Sequence, residues 1–366
     1  MKILYVTTVG ITMNFFKSLI SELKMSGNEV DIACNDSLFP VDDYYKNLGC
    51  NIYTLSCTRS PFNLGVLKAI KEIINLVKYG NYDIVHCHTP IASMCTRIAC
   101  RKARKLNTKV IYTAHGFHFY KGAPKKNWII YYPIEKICSY FTDILITINK
   151  EDYTLAKRKF KAKKVEFVPG VGINVKHFSE TSVDFMAKRD SLGIPNNAFL
   201  LLSVGELNQN KNHELVIRAV ASLNDKNIHY MVAGDGILKE QLIDLSKKLG
   251  IESQIHLLGQ RSDVSELYKV ADVYVHPSFR EGLPVSVIEA LASGCPIICT
   301  DIRGNTDIVV DNRNGIVVKA GDVKALKNAV IKIKTEKKDI GSCNSLDALK
   351  YDISVINNQM INLYFG

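Results

Sequence analysis

The sequence predicts an α/β protein with two doubly wound parallel sheets, each in a domain of its own, facing a central cleft. Three observations support this prediction. The chain has 366 residues, more than one typical domain. Short β-branched runs alternate with longer helical patterns along its length. The predicted strands are continuous apolar runs, which is typical of parallel sheets buried on both faces.

The first domain is predicted over residues 1–172, with a helix at about 352–366 packing back on it. Its strands are expected at Ile3–Thr7, Val30–Ala33, Asp83–Cys87, Val110–Thr113, Asp143–Ile148 and Val165–Val168, and helices at Asn14–Met25 and Leu64–Lys78. The run Val168–Asn174 is rich in Pro and Gly and therefore predicts a linker.

The alternation restarts in the second domain, predicted over residues 173–351. Strands are expected at Phe199–Val204, His229–Ala233, Ile255–Leu258, Val273–His276, Pro296–Cys299 and Gly315–Val318. In doubly wound domains ligands bind at the carboxyl ends of the strands, so functional residues are expected there.

Composition indicates a globular protein of a reducing compartment. The hydrophobic content is 47%, and the ten Cys show no paired metal-like spacing, which favours buried thiols in a cytoplasmic protein. The apolar start Met1–Val6 is interrupted by Thr7 and Thr8, so we interpret it as a strand and not as a secretory signal. No apolar run is long enough to predict a transmembrane helix.

The net charge of +11 is concentrated in the first half of the chain. Residues 1–170 carry 25 Lys and Arg against 13 Asp and Glu, clustered at Arg101–Lys105, Lys121–Lys126 and Lys157–Lys164. This asymmetry favours an anionic partner, although solvated helix faces are an alternative. No nucleic-acid-binding motif accompanies the charge, so an anionic membrane surface is favoured over nucleic acid. The expected location is peripheral, at the inner face of the cell membrane.

Two carboxylates, Glu281 and Glu289, have seven residues between them and flank a predicted helix start within the segment 279–296. Pro284 suits the first helical position, and Gly282 lets the backbone approach a ligand. The amides of Gly282 and Leu283 are expected to point from the helix N-terminus. Both carboxylates could then accept hydroxyls from one ribose or hexose; the alternative is two ordinary surface glutamates.

Other candidates follow predicted strands. Lys211, after the loop that begins at Gly205, is placed to meet a diphosphate at a helix N-terminus. Gly10 follows the first strand, and His88 and His115 end two others, where substrate contact is favoured over a purely structural role. No metal is predicted, because the chain has neither a spaced ligand set nor an Asp-x-Asp pair.

Together these residues resemble the family-four retaining glycosyltransferases with the GT-B fold of two Rossmann-like domains. The Glu-x7-Glu pair and the 205–211 loop carry the resemblance, which covers essentially the whole chain. It implies a UDP-sugar donor on the second domain and an acceptor on the first. The implied donor contacts are Gly10, Gly205, Lys211, Arg261, Glu281, Gly282, Leu283 and Glu289; the implied acceptor contacts are His88, His118 and Tyr120. Catalytic roles are implied for His115, Glu281 and Lys211.

Within the family, Glu289 would hold the donor ribose, Glu281 the transferred sugar and Lys211 the diphosphate, with His115 near the anomeric carbon. One departure is Glu206, which stands where many relatives carry an Arg that assists Lys211. A Gly-Glu-Leu-Asn loop resembles a subgroup that builds capsular or exopolysaccharide units on lipid carriers. Transfer from a UDP-sugar to a polyprenyl-diphosphate-linked saccharide, with no cofactor or metal, is therefore expected. The alternatives are a UDP-sugar 2-epimerase and a non-catalytic nucleotide-sugar- or nucleic-acid-binding protein.

Overall fold

The computed structural model describes residues 1–37, 39–58, 63, 65–336 and 344–366. The chain divides into two compact units, one formed by Met1–Val171 with Ser354–Gly366 and the other by Gly172–Ile353. Leu64, where a helix was predicted to begin, lies outside the described residues.

The first unit contains a seven-stranded parallel sheet. Its strands are β1 (Lys2–Val9), β2 (Glu29–Asn35), β3 (Ile52–Thr54), β4 (Ile84–His88), β5 (Lys109–Ala114), β6 (Ile144–Thr147) and β7 (Lys164–Phe167). They are ordered β3-β2-β1-β4-β5-β6-β7, so the direction of winding reverses between β1 and β4. The helices are α1 (Lys17–Met25), α2 (Asp43–Asn47), α3 (Gly65–Gly80), α4 (Pro90–Ala99), α5 (Lys125–Ser139) and α6 (Lys150–Lys159).

Apolar side chains on successive residues of β1 enter two separate cores. Ile3 and Tyr5 pack with α1 on one face of the sheet, while Leu4 and Val6 pack with α3 and α4 on the other. This two-sided burial is what the uninterrupted apolar strands predicted.

The second unit contains a six-stranded parallel sheet in the order β10-β9-β8-β11-β12-β13. Its strands are β8 (Phe199–Val204), β9 (Ile228–Ala233), β10 (Ile255–Leu257), β11 (Val273–His276), β12 (Ile297–Thr300) and β13 (Gly315–Val318). Its helices are α7 (Val175–Glu180), α8 (Phe185–Ser191), α9 (His213–Leu223), α10 (Lys239–Lys248), α11 (Val264–Val270), α12 (Val285–Ala292), α13 (Asn305–Ile308), α14 (Val323–Glu336) and α15 (Asn344–Ala348).

The C-terminal helix α16 (Ile353–Phe365) packs on the first unit, where Ile356, Met360 and Tyr364 join the core around Tyr5. The α/β prediction with two doubly wound sheets is confirmed. Two details differ. The edge strand β3 was not predicted, because three residues carry too weak an apolar signal. Residues Gly10–Phe16 form a 3₁₀ turn, so the α-helix predicted from Asn14 begins at Lys17.

Candidate active site

Strand ends at the point of reversal bring the predicted donor residues of the second unit together. The winding reverses between β8 and β11, which is where doubly wound sheets place their ligand sites. The loop after β8 carries Lys211, and the loop after β11 carries Glu281. Lys211 Nζ lies 2.8 Å from Glu281 Oε1, so two residues seventy positions apart form one ion pair.

A buried histidine forms a second contact with the Glu281 carboxylate. His276, the last residue of β11, places Nε2 at 3.3 Å from Glu281 Oε1, and its Nδ1 lies 3.1 Å from the Tyr274 hydroxyl. Burial opposes ionisation of Glu281, but hydrogen bonds and charge from His276 and Lys211 outweigh it and lower its pKa to about 2. Glu281 is therefore an anion with a defined orientation.

Glu289 occupies a different environment, one turn into α12. The Tyr268 hydroxyl donates to Glu289 Oε2 at 3.1 Å. Burial raises the pKa of Glu289, and this hydrogen bond offsets the rise only in part. The two carboxylates of the motif thus differ electrostatically, since a cation faces Glu281 and a phenol faces Glu289. Such a pair can accept hydroxyls at two separate positions of one ligand.

The helix start between these carboxylates differs by one residue from the prediction. Pro284 is the N-cap and α12 begins at Val285, because Pro284 has an extended backbone with ψ of 116°. Leu283 is buried and Gly282 half-buried. A Cβ on Gly304, in the loop after β12, would lie 2.5 Å from the Gly282 carbonyl oxygen, so this loop packs tightly against the motif.

Close backbone packing sets the loop that carries Lys211. A Cβ on Gly234, after β9, would lie only 1.9 Å from the Gly205 carbonyl oxygen, and one on Gly236 would lie 2.6 Å from the Leu207 carbonyl oxygen. Gly205 itself has φ of +151°. The Gly234-Asp235-Gly236 turn therefore shapes the candidate diphosphate loop through contacts that only glycine permits.

Glu206 stands where many members of the resembling family carry an arginine, so we looked for another cation near Lys211. Glu206 is exposed and accepts a hydrogen bond from Asn208 at 2.9 Å, and Arg280, the residue before Glu281, is also exposed. Arg303, from the loop after β12, is 8% exposed, and its Nε donates to the Glu281 carbonyl oxygen at 3.1 Å. Sequence reasoning missed Arg303, His276, Tyr268 and Tyr274. His276 carried a usable signal, because it ends a predicted strand as His88 and His115 do.

In the first unit, His88 and His115 lie together at the strand ends. His88 Nδ1 is 3.1 Å from His115 Nε2. Burial lowers the pKa of His115 to about 4, and burial together with His86 and His115 lowers the pKa of His88 well below its ordinary value. Both rings are therefore neutral at pH 7, and one donates to the other.

His88 is 1% exposed, so it is buried in the unit interior, next to His115. Its Nε2 has no hydrogen-bond partner among the described residues. The adjacent His86 links the sheet to α16, since its Nδ1 lies 2.6 Å from the Tyr364 hydroxyl. The geometry fits His88 as a support that orients the half-buried His115.

The remaining predicted residues have the following surroundings. His118 and Tyr120 are half-buried, and the His118 ring lies 4.6 Å from that of Tyr131. Arg261 pairs with Asp263 at 2.6 Å. Gly10 is buried, and a Cβ there would lie 2.5 Å from the Phe39 carbonyl oxygen. The need for glycine at position 10 is thus explained within its own unit.

Across the described parts of the chain, no three His, Cys, Asp or Glu side chains group as metal ligands.

Family models match both halves of the chain. The model "Glycosyl transferases group 1" matches residues 184–347, and "Glycosyl transferase 4-like" matches residues 2–149. EpsD of Bacillus subtilis, which is named as a glycosyltransferase, is 37% identical over 99% of this chain and 96% of its own length. These matches define the protein class as a glycosyltransferase. More specifically, the chain belongs to the family-four glycosyltransferases with the GT-B fold.

Two further relatives cover most of the chain. The Escherichia coli UDP-Gal:alpha-D-GlcNAc-diphosphoundecaprenol alpha-1,3-galactosyltransferase is 26% identical over 92% of this chain and 88% of its own length. The N,N'-diacetylbacillosaminyl-diphospho-undecaprenol alpha-1,3-N-acetylgalactosaminyltransferase of Campylobacter jejuni is 24% identical over 100% of this chain and 98% of its own.

Among solved structures, Anabaena HepE in complex with UDP and glucose has a TM-score of 0.80 at 18% identity, over 99% of both chains. The lipopolysaccharide glycosyltransferase WaaG has a TM-score of 0.76 at 19% identity, over 100% of both chains. At these identities the likeness concerns the fold alone.

Proposed function

We propose that this glycosyltransferase moves a sugar from a UDP-sugar to a polyprenyl-diphosphate-linked saccharide during surface polysaccharide synthesis, with retention of anomeric configuration and without a metal. The observation that carries the proposal is the near-full-length similarity to transferases whose names specify diphosphoundecaprenol-linked acceptors. The Lys211–Glu281 pair at the strand ends supplies a cation and a carboxylate suited to a nucleotide-sugar.

In this proposal the donor residues divide the ligand between them. Glu289 binds the ribose hydroxyls, and Glu281, with the Gly282 and Leu283 amides, binds hydroxyls of the transferred sugar. Lys211 binds the diphosphate, which competes with Glu281 for the ammonium group. Arg303, close to the Glu281 backbone, is the cation that assists Lys211 in place of the family arginine that Glu206 replaces.

The proposed chemistry is a front-face displacement. The bond between the anomeric carbon and the diphosphate oxygen breaks, and a bond to the acceptor oxygen forms on the same face. The acceptor proton passes to the departing diphosphate. Lys211 stabilises the charge that develops there, and one such contact is worth a few kcal/mol of barrier. Neutral His115, supported by His88, is proposed to contact the sugar near the reacting carbon, with His118 and Tyr120 nearer the acceptor.

In this proposal the acceptor is carried by a lipid, so the reaction takes place at a membrane surface. Among helices in the described ranges, none has the length and apolar character needed to cross a bilayer. We therefore propose peripheral association with the inner face of the membrane through the basic first unit.

The test is transfer from a panel of UDP-sugars to a polyprenyl-diphosphate-linked sugar, with NMR of the product linkage. We expect an α-linked product from an α-configured donor and full activity in EDTA. A β-linked product would contradict retention, and a strict Mn²⁺ requirement would contradict the metal-free reaction. Epimerised UDP-sugar formed without acceptor would favour the epimerase, and UDP binding without turnover under all conditions would favour a binding protein.

A further inference from the structure

The excess positive charge of the first unit lies mainly on one face of its sheet. Residues 65–141, which include α3, α4 and α5, carry 13 Lys and Arg against 3 Asp and Glu. Of the three acids, Glu135 is buried against Arg97, and Glu72 accepts hydrogen bonds from Ser56. On the opposite face, α1 and α16 together carry two Lys and one Glu. Apart from the buried Arg97 and from Lys109, which donates to the Tyr364 carbonyl oxygen on α16, these cations make the α3–α5 layer and its connecting loops a strongly cationic surface.

Large apolar side chains are exposed within this layer. On α5, Ile129 is 74% exposed and Ile137 59% exposed, and Tyr140, at its C-terminal end, is 54% exposed. Ile137 lies eight residues after Ile129, and Tyr140 three residues after Ile137, so the three positions share one side of the helix. Exposed Lys125, Lys126 and Lys136 flank them. We call these six residues the α5 face. Lysines interspersed with exposed apolar groups on one helix are typical of a helix that lies in a membrane interface.

A basic cavity adjoins the end of this helix. Its volume is about 600 Å³, and it is lined by Arg101, Lys102, Arg104, Lys105, Tyr140, Phe141 and Lys163. Asp143 pairs with both Arg104 and Lys163 at 2.8 Å. Among the described residues, no carboxylate lies within ion-pair distance of Arg101, Lys102 or Lys105. Leu106, 82% exposed, directly follows Lys105.

We propose that the α5 face and the basic cavity together form the surface by which this protein binds an anionic bilayer, with the cavity taking the phosphate of a lipid headgroup. The proposal rests on the proposed function only in that a lipid-linked acceptor requires a membrane. It adds the location of the contact, and it names positive charge and exposed apolar groups as two separable contributions. Charge complementarity selects anionic lipid, and the isoleucines insert at the headgroup boundary.

The first test compares two triple variants that each remove three positive charges from the same unit. One is Lys102→Ala/Lys105→Ala/Lys136→Ala, in the proposed surface; the other is Lys157→Ala/Arg158→Ala/Lys159→Ala, on α6. Both are measured by co-sedimentation of the full chain with phosphatidylcholine vesicles with and without phosphatidylglycerol. Binding to the anionic vesicles should fall about a hundredfold for the first triple, because each surface cation contributes about fivefold, and only slightly for the second.

Equal loss in both triples would overturn the proposed location, since overall charge would then explain binding. Absence of wild-type binding to anionic vesicles, or tighter binding to RNA than to vesicles, would overturn the membrane partner. The double variant Ile129→Ser/Ile137→Ser should weaken the binding that remains at high salt; unchanged binding would refute the apolar contribution.

The tests separate this inference from the proposed function, because vesicle binding needs neither donor nor acceptor. Transfer to a short-chain, water-soluble acceptor should be normal in the first triple variant. Loss of that transfer with a normal far-UV circular dichroism spectrum would overturn a purely membrane-binding role for these lysines.

Discussion

Replacing Glu281 by Gln should affect nucleotide binding and sugar transfer in opposite directions. In the ligand-free protein, the Lys211 ammonium is neutralised by Glu281 at 2.8 Å. A diphosphate that binds Lys211 must break this pair and approach the carboxylate. Gln keeps the shape and can still accept the hydrogen bond from His276, but it carries no charge. We therefore expect Glu281→Gln to bind UDP more tightly and to transfer sugar much more slowly.

The magnitude follows from the pKa of Glu281. Lowering this pKa from its ordinary 4.5 to about 2 corresponds to about 3 kcal/mol of preference for the charged carboxylate. His276 and Lys211 share this preference, and His276 contributes more, so at most about half of it belongs to Lys211. Removing the charge should then improve the UDP dissociation constant by up to about tenfold, which corresponds to about 1.4 kcal/mol.

Stability gives an independent check on the same group. Because the folded pKa is depressed, the contribution of Glu281 is present above pH 4.5 and is lost as the pH falls toward 2. Glu281→Gln should remove that part of the pH dependence of unfolding. The exposed Glu252, which lies 3.7 Å from Lys247 in the same unit, provides the control Glu252→Gln, with no expected change.

The binding assay is isothermal titration calorimetry with UDP, alongside transfer kinetics. Lys211→Met should weaken UDP binding and slow transfer, and the double variant with Glu281→Gln should resemble Lys211→Met in binding. Weaker UDP binding by Glu281→Gln, or identical binding by Lys211→Met and wild type, would refute the competition between diphosphate and carboxylate for Lys211.

Three further predictions concern buried and closely packed residues. Arg97→Met should lower the free energy of unfolding, measured by urea titration, by about 3–5 kcal/mol, because it leaves Glu135 buried without its cation. Adding Glu135→Leu to this variant should restore much of the lost stability. The half-buried His115 has a pKa of about 4, below the ordinary 6.5 of the unfolded chain, so its contribution to stability is present above pH 6.5 and declines as the pH falls toward 4. His115→Asn should flatten this slope in thermal melts, and an unchanged slope would contradict a neutral His115 in the folded protein. Gly234→Ala should abolish UDP binding, since the new Cβ would lie 1.9 Å from the Gly205 carbonyl oxygen. The control Gly250→Ala, whose Cβ would have no atom within 4 Å, should cost only local backbone strain at φ of +69° and keep UDP affinity. Normal UDP affinity in Gly234→Ala would refute the role of this glycine.

Much of the fold was predictable because local apolar patterning carries it. β8, β11 and β13 have the predicted bounds, since each is a short apolar run closed by a polar or turn residue. The order of the strands was not predictable, because pairing depends on contacts between segments far apart in the chain. The short strand β3 was missed for the related reason that its neighbour β2, and not its own composition, makes it a strand.

The sequence by itself determined the family, the α/β class, and the identity of Lys211, Glu281, Glu289 and His115 as candidates, because motif spacing and strand ends are local properties. Only the tertiary structure decided the contacts and burial of these residues. The pairing of Lys211 with Glu281, the buried His276 beneath them and the placement of Arg303 each join segments at least five and as many as seventy residues apart. It also decided that the basic residues gather on one face of the first sheet, since folding brings α3, α4 and α5 side by side. Burial and distance set electrostatic interactions, and both exist only once the chain is folded.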